Sequence, residues 1–424
     1  MRFSDYLDAE WKPALGCTEP AAVAYAAILA AGQGGGPVRE VRLVLDARTY
    51  KNCHAVGIPN TGRRTGILWA LALGAQLRDA SLGLRCFEAV TPEVLAEAGR
   101  LIGARALHVE VDAARPDLHI DCTVTRETGT GRALLTREHT HLALLEVDGR
   151  RIGGDEAEVA GDVAGSPPSV REALGSLRIR DLMRMARELT PEDRARLREG
   201  AAFNLAMAEH GVALMPAGFV PPEGQDSMTR LSRLVSAGVH ARMSGEPLMV
   251  VSLAGSGNKG ITVAVPVTLW GREKGHPQER VDEALAFACL MTSATTQRLG
   301  TLSAVCGAAN AGGIGIASAL VFLEGGTPAQ VDLAIHNMVG NVAGMICDGA
   351  KIGCAMKSIT GVDAAFRSAT LALAGFGIPA TDGIVGADGE ASLANLGRLA
   401  RHGMTGVDAE VLDILQGKLS HEPA

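Results

Sequence analysis

Residues 153–168 form a segment rich in acidic residues, glycine and proline, and this segment separates two parts of the sequence with different hydrophobic patterns. Before it, apolar and polar residues alternate over short stretches, which is typical of half-buried strands, at residues 38–46, 106–111, 118–125 and 142–147. After it, apolar residues recur at helical spacing, in residues 170–189, 191–210, 227–243, 277–299, 328–347 and 363–375. We therefore predict an α+β fold, with a mixed α/β domain at residues 1–165 and a mostly α-helical domain at residues 166–424.

Cys17 directly precedes an alanine-rich segment that we predict to be a helix, with Pro20 in its first turn and an end near Gly32. The helix dipole and the free N–H groups at a helix N-terminus favour a thiolate and therefore lower a cysteine pKa. This position predicts either a metal ligand or a reactive thiol. The alternative is a cysteine buried at a loop corner without a chemical role.

Residues 50–62 combine polar side chains with turn-forming residues directly after a predicted strand. Lys51, Asn52, Asn60 and Thr61 belong to this segment. A loop on a rigid strand can aim such groups at the carboxylate and the amino group of a small substrate. We predict a substrate-binding loop here, with an ordinary solvated loop as the alternative.

Residues 247–267 are mostly apolar and β-branched, but a polar glycine-containing turn at residues 256–260 interrupts them. Such a turn costs desolvation free energy unless something binds there. The spacing differs from the phosphate-binding pattern G-x-x-x-x-G-K-[ST]. Ser256 and Asn258 are therefore candidates for binding a small substrate, and Lys259 is a candidate catalytic group.

Three cysteines of the C-terminal part, Cys306, Cys347 and Cys354, lie among glycines and other small residues with few charges. Thiolates select soft metal centres such as zinc, copper(I) or iron–sulfur clusters, and neighbouring glycines let backbone N–H groups turn towards the sulfurs. Free cysteine is nevertheless most often a small buried hydrophobic residue. The separations of 41 and 7 residues match no zinc-finger or ferredoxin pattern, so spacing alone leaves both interpretations open.

Composition excludes several classes of partner and compartment. The net charge of −7 without a basic patch argues against nucleic acid. Eight irregularly spaced cysteines and an N-terminus without a hydrophobic leader predict a reduced, cytoplasmic protein. The uncharged run at residues 299–323 contains polar residues and glycines, so we predict a buried helix pair there and no membrane contact. Abundant small residues predict closely packed helices, and we expect a homodimer.

Five motifs in a fixed order resemble the L-cysteine desulfidase family. They are G-C-T-E-P (residues 16–20), Y-K-N with V-G-I-P-N-T-G (50–62), A-G-S-G-N-K-G-I (254–261), S-A-V-C-G (303–307) and C-D-G-A-K-I-G-C-A-M-K (347–357). The C-terminal half also looks like the alpha domain of iron–sulfur-dependent L-serine dehydratases. The resemblance implies a four-iron, four-sulfur cluster held by Cys306, Cys347 and Cys354, with one iron open to substrate.

Departures from the related families bear on the substrate. Serine dehydratases carry a cysteine near the C-terminus, whereas this chain has none after Cys354, and they lack the motif around Cys17. Both differences favour a desulfidase. Within residues 50–64 the sequence has Cys53 and His54, Asn60, and the pair Arg63 and Arg64, which differ from the family pattern and leave the exact substrate open.

The resemblance implies β-elimination of sulfide from L-cysteine, or from a close β-thiol amino acid, to yield pyruvate and ammonia. The open iron would bind the substrate sulfur, while Lys51, Asn52 and Ser256 could hold the carboxylate. A base must reach the Cα proton. Our hypothesis assigns this role to Cys17, with Lys259 as the second candidate; alternatively, Cys17 is a cluster ligand in place of one of the other three.

Two further functions remain as alternatives. The first is L-serine dehydration, which uses the same chemistry with a hydroxyl leaving group. The second is a non-enzymatic redox or iron sensor whose cluster regulates a partner. Pyridoxal phosphate is the usual cofactor of such eliminations, but the sequence has neither a phosphate cup nor a lysine context that indicates it.

Overall fold

The computed structural model describes residues 2–155 and 169–419. The predicted boundary between residues 165 and 166 lies outside the described residues and stays a prediction. In the first range the helices are α1 (Phe3–Glu10), α2 (Thr18–Ala31), α3 (Ala47–Cys53), α4 (Ile67–Gln76) and α5 (Pro92–Gly103). The strands are β1 (Trp11–Leu15), β2 (Gly35–Leu45), β3 (Leu107–Val111), β4 (Ile120–Thr128), β5 (Thr130–Leu135), β6 (Leu142–Val147) and β7 (Arg150–Gly153).

The second range is predominantly helical. Its helices up to the thiol region are α6 (Val170–Ser176), α7 (Ile179–Met185), α8 (Pro191–Val212), α9 (Ser227–Met243), α10 (Gly257–Glu273), α11 (Gln278–Leu299) and α12 (Gly313–Leu323). They are followed by α13 (Pro328–Val342), α14 (Cys354–Leu373), α15 (Gly389–Arg398) and α16 (Val407–Leu419). One strand, β8 (Met249–Leu253), precedes α10. The mixed first part and the helical second part confirm the predicted α+β class.

A six-stranded sheet organises the N-terminal part, in the order β3-β2-β4-β5-β6-β7. The pairing of β2 with β3 is parallel, and the other neighbours are antiparallel. Burial alternates along β4 and β5, so one face of the sheet is covered while the other meets solvent. Helix α2 packs closely on this sheet because Gly131 leaves room for its backbone: a Cβ at Gly131 would lie 2.1 Å from the Ala30 carbonyl oxygen.

A two-stranded antiparallel sheet joins the N-terminal segment to the helical part. Strand β1 pairs with β8, with Trp11 opposite Leu253 and Leu15 opposite Met249. The first turn of α2 reaches the turn before α10 through a hydrogen bond from Thr18 Oγ1 to the Gly255 carbonyl at 3.1 Å. The helical core formed by α6–α15 includes Phe3, Tyr6 and Leu7 of α1 and Trp11 of β1. Leu15 of β1 and Leu412 of α16 lie in the core around the six-stranded sheet. The two cores therefore draw residues from both ends of the chain.

Many predicted elements form close to their expected bounds, but the prediction of a loop at residues 50–62 was wrong for its first part. Lys51 and Asn52 belong to helix α3 and not to a loop, because Asp46 caps that helix by accepting hydrogen bonds from the N–H groups of Arg48 and Thr49. The apolar residues after the turn at 256–260 form the buried helix α10 despite their β-branched character. Tertiary burial thus overrides local strand propensity there.

The uncharged run at residues 299–323 is largely buried, but it forms a short π-helix at Ala308–Gly312 continued by α12, and not the expected helix pair. Among the helices within residues 2–155 and 169–419, none has the combination of length and apolar character needed to span a membrane.

Candidate active site

A cavity of about 90 Å³ lies where the turns before α2, α10 and α14 meet the segment after α11. Its polar and thiol lining comes from both parts of the chain. It includes Cys17, Glu19, Asn52, Arg242, Ser256, Asn258, Lys259, Thr296, Cys306, Cys347 and Cys354. We call this space the thiol cavity. It brings together eight of the predicted site residues, and these eight include the three candidate thiol ligands.

A short backbone pairing brings two of the thiols together. Cys306 N–H donates to the Met345 carbonyl at 2.8 Å, and Cys347 N–H donates to the Ala304 carbonyl at 2.8 Å. These two hydrogen bonds flank an isolated antiparallel bridge between Val305 and Ile346. Cys306 directly follows Val305, and Cys347 directly follows Ile346.

The third thiol enters the thiol cavity from the next turn of chain. Cys354 is the first residue of α14. The turn that leads to it passes through Gly349 with φ of +97°, a left-handed conformation that favours glycine. Cys306, Cys347 and Cys354 therefore line one cavity although they are far apart in sequence.

The electrostatics of these thiols reflect their burial and their proximity. Burial, together with the charges of Cys347 and Cys354, raises the pKa of Cys306 to about 12. Burial also raises the pKa of Cys354, and Cys347 contributes in the same direction. Without a cation Cys306 and Cys354 therefore carry their protons, and a bound metal would have to displace them.

The donor set fits an iron–sulfur cluster better than a single ion. Within residues 2–155 and 169–419, no three His, Cys, Asp or Glu side chains are arranged around one metal ion. A four-iron cluster does not require such convergence, because each thiolate binds a different iron and the cluster separates the sulfurs. Cys306, Cys347 and Cys354 are all free thiols, and their shared cavity is partly apolar, as cluster sites with soft ligands require.

Cys17 also lines the thiol cavity and is the N-cap residue of α2. Its Sγ donates a hydrogen bond to Glu19 Oε2 at 3.0 Å. The expectation of a lowered pKa was wrong: burial and the Glu19 carboxylate raise the pKa of Cys17 well above the ordinary value. Desolvation and a neighbouring negative charge outweigh the helix dipole, so the structure favours a protonated thiol at this position.

Glu19 is a cavity residue to which the sequence analysis assigned no role in the site. Its carboxylate accepts hydrogen bonds from Cys17, from Thr18 Oγ1 at 2.9 Å and from Asn52 Nδ2 at 3.0 Å. Burial alone would raise its pKa, but His139 and these hydrogen bonds keep the pKa of Glu19 below the ordinary value. Asn52, predicted to bind substrate, therefore lines the cavity while holding this carboxylate.

Lys259 lies on the first turn of α10 with 4% of its surface exposed. Its Nζ donates to the Ala254 carbonyl at 3.0 Å and to Thr296 Oγ1 at 3.1 Å. Burial, together with the charge of Arg171, lowers the pKa of Lys259 to about 7. A neutral amine is therefore accessible near neutral pH, as a general base requires.

Arg242 is a cavity residue that sequence reasoning missed. It ends helix α9 with 1% exposure, and its guanidinium donates to Asn258 Oδ1 at 2.8 Å and to the Gly16 carbonyl at 2.7 Å. Both acceptors are neutral, and Nε has no hydrogen-bond partner among the described residues. A buried cation in this state is suited to an anionic ligand. An arginine near a helix C-terminus is common, so the sequence carried no distinguishing signal.

The N-terminus of α10 faces the same space. Ser256 is its N-cap residue without a side-chain cap hydrogen bond, and Ser256, Asn258 and Lys259 all line the cavity. The first backbone N–H groups of a helix have no partner within the helix and favour anions. Gly257 permits this arrangement, because a Cβ there would lie 2.4 Å from Arg242 Nε.

Three predicted substrate-binding residues are absent from the described lining of the thiol cavity. Lys51 is buried, and its Nζ is bonded to Asp408 and to the Cys347 carbonyl. Asn60 donates to the Phe87 carbonyl at 2.9 Å, and Thr61 donates to the Ile58 carbonyl at 2.6 Å. The structure therefore does not bring these three side chains together with Ser256 and Asn258. Their polar groups instead donate to the Cys347, Phe87 and Ile58 carbonyls, respectively.

The residues that depart from the family pattern also lie apart from the described cavity lining. Arg63 lies 3.7 Å from a Glu246 carboxylate oxygen, and Arg64 lies over the ring of Trp69. Cys53 is fully buried, and burial followed by the charges of Glu19 and Cys17 raises its pKa. These departures therefore affect the surroundings of the site more than its lining.

Comparison with known proteins identifies the family of this chain. A family model described as the serine dehydratase alpha chain matches residues 83–413, which include the three thiols, Arg242 and Lys259. The chain is 36% identical to a UPF0597 protein from Geobacter sulfurreducens, with 99% of each chain covered. It is 39% identical to a UPF0597 protein from Oleidesulfovibrio alaskensis, with 98% of each covered, and 35% identical to one from Nitratidesulfovibrio vulgaris, with 98% and 99% covered. The chain therefore belongs to the serine dehydratase alpha chain family, whose matched region contains most of the thiol cavity.

Proposed function

We propose that this protein is an iron–sulfur-dependent lyase that eliminates sulfide from L-cysteine or a close β-thiol amino acid. The Cα–H and Cβ–S bonds of the substrate break, sulfide leaves, and the resulting aminoacrylate takes up water to yield pyruvate and ammonia. The observation that carries the proposal is the thiol cavity, in which three cysteines face a buried arginine and a buried lysine. Membership of a dehydratase family supports lyase chemistry on an amino acid.

Cys306, Cys347 and Cys354 would hold the cluster. When bound, a four-iron, four-sulfur cluster with one iron lacking a protein ligand supplies Lewis acidity towards the leaving sulfur. The protein contributes a cavity of about 90 Å³ whose lining comes from both parts of the chain.

Arg242 and the N-terminus of α10 would bind the substrate carboxylate. The guanidinium is buried, its two hydrogen bonds go to neutral acceptors, and it lies against the first turn of that helix through Asn258. An arginine can form paired hydrogen bonds to a carboxylate, and helix N–H groups add favourable partial charge. The substrate would thereby be oriented with its β-substituent towards the thiols.

Lys259 is the better candidate for the base in this arrangement. Its neutral amine would take the Cα proton, and the Ala254 carbonyl and Thr296 Oγ1 would stabilise the ammonium that forms. The raised pKa of Cys17 keeps that thiol protonated, so it is more suited to donating a proton than to removing one. This order reverses our preference from the sequence, in which Cys17 came first.

Serine dehydration is the second candidate function, and the family model supports it. Anaerobic reconstitution with iron and sulfide, removal of the excess, and parallel incubation with L-cysteine and L-serine distinguish the two. We expect equal amounts of sulfide and pyruvate from L-cysteine. Pyruvate from L-serine alone would identify a dehydratase, and turnover of neither substrate would refute both.

Two cysteine substitutions test the metal site. We expect Cys306→Ala to lose both bound iron and turnover. Cys289→Ala is the control, because Cys289 is also buried but is absent from the described lining of the thiol cavity. Retention of iron and turnover by Cys306→Ala would contradict the ligand assignment.

Arg242→Gln tests the carboxylate site. Loss of a charge-assisted hydrogen bond costs about 1.5–3 kcal/mol, so we expect KM for the productive substrate to rise about 10- to 100-fold. Arg233→Gln is the matched control, because Arg233 lies on the same helix and bonds the Phe219 carbonyl. Equal kinetic effects of the two substitutions would exclude Arg242 from substrate binding.

A further inference from the structure

Lys51 is absent from the described lining of the thiol cavity, but its side chain bonds the backbone of Cys347, which is part of that lining. The side chain lies on α3 with 1% of its surface exposed. Its Nζ donates to the Cys347 carbonyl at 2.8 Å and to Asp408 Oδ1 at 2.5 Å. Asp408 belongs to α16, near the end of the chain. One buried ammonium group therefore joins the C-terminal helix to the backbone of a candidate cluster ligand.

A second cation extends this contact to the other side of the isolated bridge. Arg48 Nε donates to Asp408 Oδ2 at 2.7 Å, and Arg48 Nη1 donates to Asp117 at 2.8 Å and to the Leu302 carbonyl at 3.0 Å. Leu302 leads into the segment of Cys306, whereas Lys51 binds at Cys347. Asp408 thus pairs with both Lys51 and Arg48. Lys51 bonds the Cys347 carbonyl on one side of the bridge, and Arg48 bonds the Leu302 carbonyl in the segment that leads to the other side.

The bridge needs such support because its own pairing is minimal. Val305 and Ile346 form a single antiparallel bridge outside any sheet. The following turn presses against α3: a Cβ at Gly349 would lie 2.4 Å from the Lys51 carbonyl oxygen. The orientation of Cys347 therefore depends on where α3 and Lys51 are held, and Asp408 is the carboxylate that holds Lys51.

We propose that Asp408 and Lys51 are positioning residues for Cys347, and that the C-terminal helix α16 is part of the thiol site. This inference rests on the proposed role of Cys347 as a cluster ligand. A buried ammonium group costs free energy unless a carboxylate compensates it. Loss of the Asp408 charge therefore releases Lys51 from its fixed position, and the Cys347 turn loses the support behind it.

The test uses full-length protein carrying Asp408→Asn and two readouts. In metal-free protein, we expect iodoacetamide to alkylate Cys347 several-fold faster than in wild type, as followed by mass spectrometry, with little change at Cys306. In anaerobically reconstituted protein, we expect a several-fold lower iron content and an altered electron paramagnetic resonance spectrum of the reduced cluster. Asp408→Glu retains the charge and is expected to recover most of both properties.

Asp282→Asn is the control for general destabilisation. Asp282 is also buried and paired with an arginine, Arg198, but it lies on α11 outside the described lining of the thiol cavity. Equal alkylation of Cys347 in both variants, at matched thermal stability, would overturn the inference. If Asp408→Asn fails to fold, Lys51→Met replaces it as the test variant. A lowered iron content in Lys51→Met, together with an alkylation rate for Asp408→Glu equal to that of wild type, supports the inference. A normal iron content in Lys51→Met overturns it.

The two readouts separate this inference from the proposed function. Faster alkylation of Cys347 in Asp408→Asn, in a protein whose wild type binds no iron, would uphold the positioning role and refute the cluster. Normal alkylation of Cys347 in Asp408→Asn, with a wild type that binds the cluster and releases sulfide, would refute the positioning role and uphold the proposed function.

Discussion

Lys259 and Arg242 are buried cations whose chemical behaviour is set by what surrounds them. Lys259 has two neutral hydrogen-bond acceptors, and its burial lowers its pKa to about 7. Arg242 cannot lose its proton in the same way, because the pKa of guanidinium lies far above neutrality. The first side chain can therefore exchange a proton near neutral pH, whereas the second presents a constant positive charge to a ligand.

Substitution of Lys259 by methionine should change how stability depends on pH. In metal-free wild type, the folded-state pKa of about 7 lies below the unfolded value of 10.5. Between these values the unfolded chain binds a proton that the folded chain has released, so the free energy of unfolding rises with pH, by at most about 1.4 kcal/mol per unit. Lys259→Met should lack this contribution, as urea unfolding at pH 7, 8 and 9 would measure.

The difference between wild type and variant removes the contributions of all other groups that titrate equally in both. Lys274→Met, at an exposed position beside Trp270, serves as the control and should keep the slope of the wild type. Identical slopes for wild type and Lys259→Met would contradict a lowered pKa at this lysine.

At the scale of elements, the thiol cavity is built from turns and helix ends rather than from regular structure. Residues 345–353 are held by one backbone bridge and by contacts to α3. The sequence predicted α2, β2, β6 and α9 closely, from helix-start signals for α2 and from hydrophobic patterning for the other three. It did not predict α3, whose seven residues depend on the Asp46 cap.

Gly349→Ala should destabilise this turn. The glycine has φ of +97°, and an added Cβ would lie 2.4 Å from the Lys51 carbonyl oxygen, which is backbone and cannot move aside freely. We expect a loss of about 1–3 kcal/mol in the free energy of unfolding, measured in urea. Gly344→Ala is the control in the same segment, since a Cβ there meets no atom within 4 Å. A similar stability for both variants would show that the turn can shift.

At the scale of the whole molecule, the two hydrophobic cores share the ends of the chain. Trp11 belongs to the N-terminal segment but is buried in the helical core, where Gly200 leaves space for its ring. Leu412 of the last helix lies in the sheet core. The thiol cavity depends on this exchange, because Cys17 follows β1 while Lys51 binds both Asp408 and the Cys347 carbonyl.

Trp11→Ala should therefore weaken the helical part although Trp11 is far from it in sequence. Its side chain is 6% exposed, and truncation of a buried tryptophan typically costs about 3–5 kcal/mol. Thermal and urea unfolding followed by circular dichroism measure the loss. Asp8→Ala, in the exposed pair with Arg196, should change stability by about 0.5 kcal/mol or less. An equally small loss of stability in Trp11→Ala would contradict the burial of Trp11 in the helical core.

The sequence by itself determined the α+β class, most of the elements and the three thiols, because hydrophobic periodicity and short motifs are local properties of the chain. Only the tertiary structure decided that Arg242 and Glu19 join Cys17 and Lys259 around one cavity, and that Lys51 lies behind it. It also decided the protonation of Cys17: burial and Glu19 outweigh the helix dipole that the sequence suggested. Desolvation depends on every neighbour of a group, and most of those neighbours are distant in sequence.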